Sequence, residues 1–149
     1  MLRGLLLGVV LAGLALVGCG SGGPAPKPPL TGDGAAAALR GSGLPVTDVR
    51  VFTAETDPNK LLGRPGEYTH KVSWQDTRTP GEGNDATIEV FATADDLKRR
   101  KAYTEAIART GGLFAQYVEA NEARLALLRL PHDLTPDQAK GYRDWLAAL

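Results

Sequence analysis

The chain has 149 residues, balances 17 lysines and arginines against 17 aspartates and glutamates, and carries one cysteine. That length supports one modest domain, since domains cluster at roughly 100–200 residues. The zero net charge, with both signs mixed along the chain, leaves no electrostatic footprint for DNA or RNA, and a single cysteine closes no internal disulfide, so packing must hold the fold.

Residues 1–3 (MLR) supply a short positive start, and residues 5–17 form a charge-free apolar run. This is the order of an export signal. A permanent transmembrane helix needs roughly 20 predominantly apolar residues, and Gly18, Gly20, Gly22, Gly23 and Pro24 interrupt the run too early. Leu16-Val17-Gly18-Cys19 sets a small residue before the cysteine. The tetrapeptide resembles the lipobox of bacterial lipoprotein precursors. That resemblance implies a diacylglyceryl thioether on Cys19, cleavage by signal peptidase II between Gly18 and Cys19, and a mature chain that starts at Cys19. Two acyl chains, of the palmitate type, anchor stably where one holds only marginally. The location implied is the extracytoplasmic side of the cell membrane. The competing reading is a plain signal peptide or membrane anchor with an incidental cysteine.

Residues 20–32 (GSGGPAPKPPLTG) hold four glycines and four prolines without apolar periodicity. They read as a disordered tether. The expected organisation is therefore a signal peptide over 1–18, a lipidated cysteine and linker over 19–32, and one domain over 33–149.

Within that domain, the alanine run at 35–38 predicts a short helix closed by the glycines at 41 and 43. Residues 44–53 are ambiguous: Val49, Val51 and Thr53 alternate as in a strand, while Val46, Val49 and Phe52 suit one helix face. Tyr68, Val72 and Trp74 alternate with polar residues as in a half-buried strand, and Ala86, Ile88, Val90 and Ala92 repeat the pattern, which predicts an antiparallel hairpin. Asp95 and Asp96 open a helix that runs to about residue 110, with Leu97, Tyr103 and Ile107 on its inner side. Residues 115–120 and 123–130 read as a second hairpin turning at Asn121-Glu122. Thr135-Pro136-Asp137-Gln138 has the form of a capping box with proline at the first helical position, and Ala139, Tyr142, Leu146 and Leu149 mark a buried stripe. The sum is an α+β domain: a small antiparallel sheet of about four strands with helices packed on one face.

Chemistry is sparse. The histidines are His70 and His132, and nothing in the sequence links Ser42 or Ser73 to either as a nucleophile needs its base. No Cys/His cluster has zinc spacing. Residues 81–85 (GEGND) read as a hairpin turn and lack the acidic series of a calcium loop. Asp76, Glu82 and Asp85 are candidates for a carboxylate pair, with solvation as their ordinary role. Four consecutive cations, Lys98 to Lys101, wrap more than a full helical turn, so a solvated face is expected; the functional rival is contact with anionic headgroups or wall polymers. Asp57 can cap a turn begun by Pro58, with Leu61 and Leu62 pinning it to the core.

The string DPNKLLGRPGEY, then K-x-x-W-x-D, TIEVF, a charged helix, LLRL and a final TPDQAKGY helix, resembles a group of small uncharacterised lipoproteins of Gram-positive bacteria over nearly all of residues 44–149. The resemblance implies export and one compact domain, and it transfers no catalytic residue. Arg64, Tyr68 and Trp74 form a candidate binding surface, because exposed aromatics beside arginine favour recognition, although core packing of both aromatics is the rival. The expectation is a non-catalytic binding or interaction module at the cell envelope, without metal or cofactor. Its partner would be another envelope protein, a wall polymer or a small ligand. An envelope hydrolase using carboxylates near residues 81–85 is the alternative, and a purely structural spacer is a third reading.

Overall fold

A computed structural model describes residues 27–149, so Gly18, Cys19 and the expected signal peptide lie outside the described residues. Thr31 is extended, and its hydroxyl accepts from the Gly34 amide to open helix α1 (Gly32–Arg40), where Ala35, Ala36 and Leu39 are buried. Part of the expected linker therefore belongs to the folded unit. Leu30 is buried in the core, Lys27 Nζ donates to the backbone oxygens of Ala148 and Leu149, and Arg124 donates to the carbonyl of Pro28.

The ambiguous stretch is a strand, β1 (Val46–Val51), paired antiparallel with β2 (His70–Asp76). Thr47 faces Gln75 and Arg50 faces Ser73, so three residues of β1 span two of β2. That extra residue is a β-bulge, and Asp48 takes a positive φ of 52° to make it. The bulge brings Val46 and Val49, three apart, against one core cluster. This is why the stretch mimics helical spacing.

β3 (Ala86–Val90) pairs with β2, but its other neighbour is β5 (Ala126–Pro131), with β4 (Gln116–Asn121) at the edge. The five-stranded sheet has the order β1-β2-β3-β5-β4, all antiparallel. The β4–β5 turn is a 3-10 turn, Glu122–Arg124, followed by Leu125 in the left-handed region, so it reverses slightly later than Asn121-Glu122. The expected α+β architecture stands, with one strand more than about four.

The helices divide between the two faces rather than packing on one as expected. Val72, Trp74, Ala86, Ile88, Val90, Ala126, Leu128 and Leu130 form one core with α1 and with α3 (Pro136–Ala148), where Ala139, Tyr142, Trp145 and Leu146 are buried. The expected capping box is present: Thr135 Oγ1 accepts from the Gln138 amide, and Gln138 Oε1 accepts from the Thr135 amide. α2 (Ala94–Ala108) instead crosses the opposite face, where Leu97 joins Tyr68, Phe91 and Leu127. Tyr68 precedes β2 and turns to that second cluster, so it does not share a face with Val72 and Trp74. Tyr103, expected inward on α2, is exposed.

Leu128 is fully buried in the first cluster. Leu128→Ala is expected to cost about 2–5 kcal/mol in urea unfolding, from lost burial and the cavity left behind, whereas Tyr103→Ala should shift stability by no more than about 0.5 kcal/mol.

Candidate functional site

The face covered by α2 is built around two buried acids. Asp57 is fully buried. Its Oδ1 lies 2.9 Å from Lys71 Nζ, and its Oδ2 accepts from Tyr68 Oη at 2.7 Å and from the amides of Leu61 and Leu62 at 3.0 and 3.1 Å. The sequence-level role of Asp57 as a cap is thus realised, with an ion pair added. Burial pushes the Asp57 pKa up, but the hydrogen bonds from Lys71, Tyr68, Leu61 and Leu62 outweigh it and hold the carboxyl far below its usual range. Burial and the Asp57 carboxylate together push the Tyr68 phenol upward.

Glu89 is the second acid, fully buried in the central strand β3. Arg100 of α2 grips it with two nitrogens at 2.9 Å each, and Arg129 of β5 reaches Oε1 at 3.2 Å. Arg129 Nε also donates to Gln116 Oε1 at 3.0 Å. Tyr68 adjoins both clusters: its ring centroid lies 5.7 Å from Lys71 Nζ and 5.5 Å from the Arg100 guanidinium carbon. Lys71 and Glu89 are also cross-strand partners. Arg99 ties the same loop to α2 by donating to the Gly66 carbonyl; a Cβ at Gly66 would lie 2.7 Å from Arg99 Nη2, and its φ of +80° also favours glycine.

Beside this network opens a cleft of about 850 Å³. Arg100, Tyr103, Thr104 and Ile107 of α2 form one wall, and Phe114 and Gln116 border it where the chain enters β4. The end of β5 with His132 and Asp133, the loop 82–85, and Asn59 with Leu61 complete it. The volume lies within the range of roughly 300–1,000 Å³ usual for ligand sites.

The expected recognition surface does not form. Tyr68 and Trp74 are both fully buried, on opposite faces of the sheet, and only Arg64 is exposed. Trp74 packs against Tyr142 and Trp145, with ring centroids 5.8 and 5.9 Å away. Nor do the loop carboxylates gather: Asp76 is buried in a pair with Arg78 and accepts from Tyr142 Oη at 2.8 Å. Burial pushes the Asp76 carboxyl up, and the bonds from Arg78 and Tyr142 bring it below its usual range. Asp85 accepts from Gln75, and only Glu82 and Asp85 of the three border the cleft. His70 lies half-buried at the start of β2, and His132 is exposed beside Asp133. Among the described residues no group of three His, Cys, Asp or Glu is placed to hold a metal ion.

The cationic run splits by direction. Lys98 is exposed, Arg99 and Lys101 pair with Asp96 and Glu105, and Arg100 turns inward to Glu89. The solvated-face expectation therefore fails for Arg100. The sequence did carry a signal for this network, because TIEVF and LLRL each set one charge inside an apolar strand, and the two charges are opposite. Comparison of the chain with protein-family models, with curated proteins and with solved structures gives no match.

A carboxylate whose folded pKa is depressed adds stability above its unfolded pKa of about 3.9 and loses it as pH falls toward the folded value. Wild-type unfolding free energy should therefore decline below about pH 4. Asp57→Asn should cost about 3–5 kcal/mol at neutral pH by stranding buried Lys71 and should flatten the acid decline, as urea titrations across the pH range would show.

Proposed function

We propose that the chain is a lipoprotein anchored through Cys19 on the extracytoplasmic side of the cell membrane, whose domain is a non-catalytic binding module with the cleft as its recognition site. The observation that carries the reading is the cleft's make-up. The guanidiniums along it are already engaged by Glu89, while Tyr103 and Phe114 stand 58% and 62% exposed on its border. Large exposed aromatics beside a concave surface favour recognition.

The attachment geometry agrees with this role. Lys27 and Pro28 are held at the end of α3 and at the β4–β5 turn, whereas the cleft lies at the Pro131 end of β5. Six residues of strand separate those ends by about 20 Å. A lipid on Cys19 would tether the domain by the end away from the cleft. The eight residues from Cys19 to Lys27 reach at most about 30 Å, so the domain would stay close to the membrane with the cleft directed outward. A wall polymer, another envelope protein or a small ligand are the partner classes in reach. Glu82, Asp85, His132 and Asp133 on the same cleft keep a hydrolase as the rival.

The full chain expressed in a bacterial host should incorporate labelled palmitate and should sediment saturably with isolated envelopes, beyond its sedimentation with vesicles of the extracted lipid alone, without releasing soluble wall fragments. Cys19→Ser should abolish the label. Label retained in that variant contradicts the anchor, and fragments that accumulate with time and vanish in Asp85→Asn convert the module into an enzyme.

A further inference from the structure

Three large hydrophobic side chains are strongly exposed among the described residues, and two of them, Tyr103 and Phe114, border the cleft. Tyr103 is braced, since the Arg100 guanidinium carbon lies 5.8 Å from its ring centroid and Arg100 is itself fixed by Glu89. Phe114 ends the 3-10 turn Gly112–Phe114, just ahead of β4. The same cleft presents planar polar groups: Gln116 and Arg129, bonded to each other, with Asn84 bonded to Asp133.

Charge decides among ligand classes. Arg100 and Arg129 share Glu89, and the remaining carboxylates on the cleft are Glu82, Asp85 and Asp133. This leaves a slight acidic excess, which disfavours a polyanion or a phosphate headgroup. Exposed aromatic rings in one cleft with planar donors and acceptors suit a ligand with an apolar C–H face and a rim of hydroxyls.

Resting on the binding-module reading, we infer that the cleft takes a neutral polyhydroxylated chain, a segment of envelope glycan, stacked on Tyr103 and Phe114. Sugar rings would lay their C–H faces on the two aromatics, and their hydroxyls would bond Gln116, Asn84 and Asp133. Anionic wall polymers would be excluded by the acidic rim.

The test is calorimetric titration of the full chain, held in a detergent without sugar groups, with chitohexaose, cellohexaose and maltohexaose, and with polygalacturonate as the anionic probe. At least one neutral hexaose should bind, with little change between about 50 and 500 mM salt, and Tyr103→Ala and Phe114→Ala should each weaken it by about tenfold or more while the unfolding midpoint holds. No binding of any of the three, binding indifferent to both aromatic substitutions, or salt-sensitive binding of polygalacturonate alone would overturn the inference. If envelopes still sediment the chain beyond vesicles of the extracted lipid while all three hexaoses fail, the glycan assignment falls and the binding module remains.

Discussion

A carboxylate with no exposure in the central strand of a sheet is a demanding constraint. Glu89 needs charged partners close by, because an unpaired buried ion costs several kcal/mol. Two arginines meet that demand. Arg129 comes from the neighbouring strand, which requires β5 rather than β4 to lie beside β3, and Arg100 comes from above, which requires α2 to cross this face. The strand order and the placement of the middle helix are thus both compatible with one ion cluster. A well-packed apolar replacement of the whole cluster could match it in stability; the specific gain is in arrangement, since an α2 shifted by one residue would take Arg100 away from the buried Glu89 carboxylate and leave it only Arg129.

Tyr68 joins this cluster to the second one. Its hydroxyl donates to Asp57, which organises the loop 57–62, while its ring lies between the ammonium of Lys71 and the guanidinium of Arg100. Loop, sheet and helix therefore meet on one aromatic ring. The cleft inherits its walls from this meeting, because Asn59 and Leu61 belong to the loop and Arg100, Tyr103 and Thr104 to the helix. Rigid supports of this kind make a binding surface precise, and they explain how Tyr103 can stand exposed with one neighbour fixed beside it.

Local chemistry was legible in the sequence; long-range choices were not. The Thr135 capping box, the face-to-face alternation in β2 and β3, and the Asp57 turn all depend on residues within a few positions of one another, and each is present in the fold; the half-buried character expected of the two strands is not, because their polar side, with Lys71, Ser73, Thr87 and Glu89, is buried as well. The bulge in β1 was hidden because one extra residue turns a strand's period of two into a spacing of three between Val46 and Val49. Tyr103 and Arg100 exchange their expected roles, outward and inward, for a reason outside α2: Glu89 waits on the sheet below. Of the candidate recognition residues, Tyr68 and Trp74 follow the rival reading of core packing, in two cores on opposite faces. The cleft itself joins residues from 59 to 133, a separation that no periodicity encodes.

The functional account rests on α2 being locked to the sheet by Glu89, since that lock braces Tyr103 and shapes the cleft. Amide hydrogen exchange of Glu89→Gln tests it most directly, because the substitution keeps the shape and removes the charge. The prediction is that amides of α2, residues 94–108, lose protection by about tenfold for each 1.4 kcal/mol of lost docking, well beyond any loss in α1 and α3. Protection of α2 that stays at the wild-type level, or that falls equally in all three helices, would contradict the account.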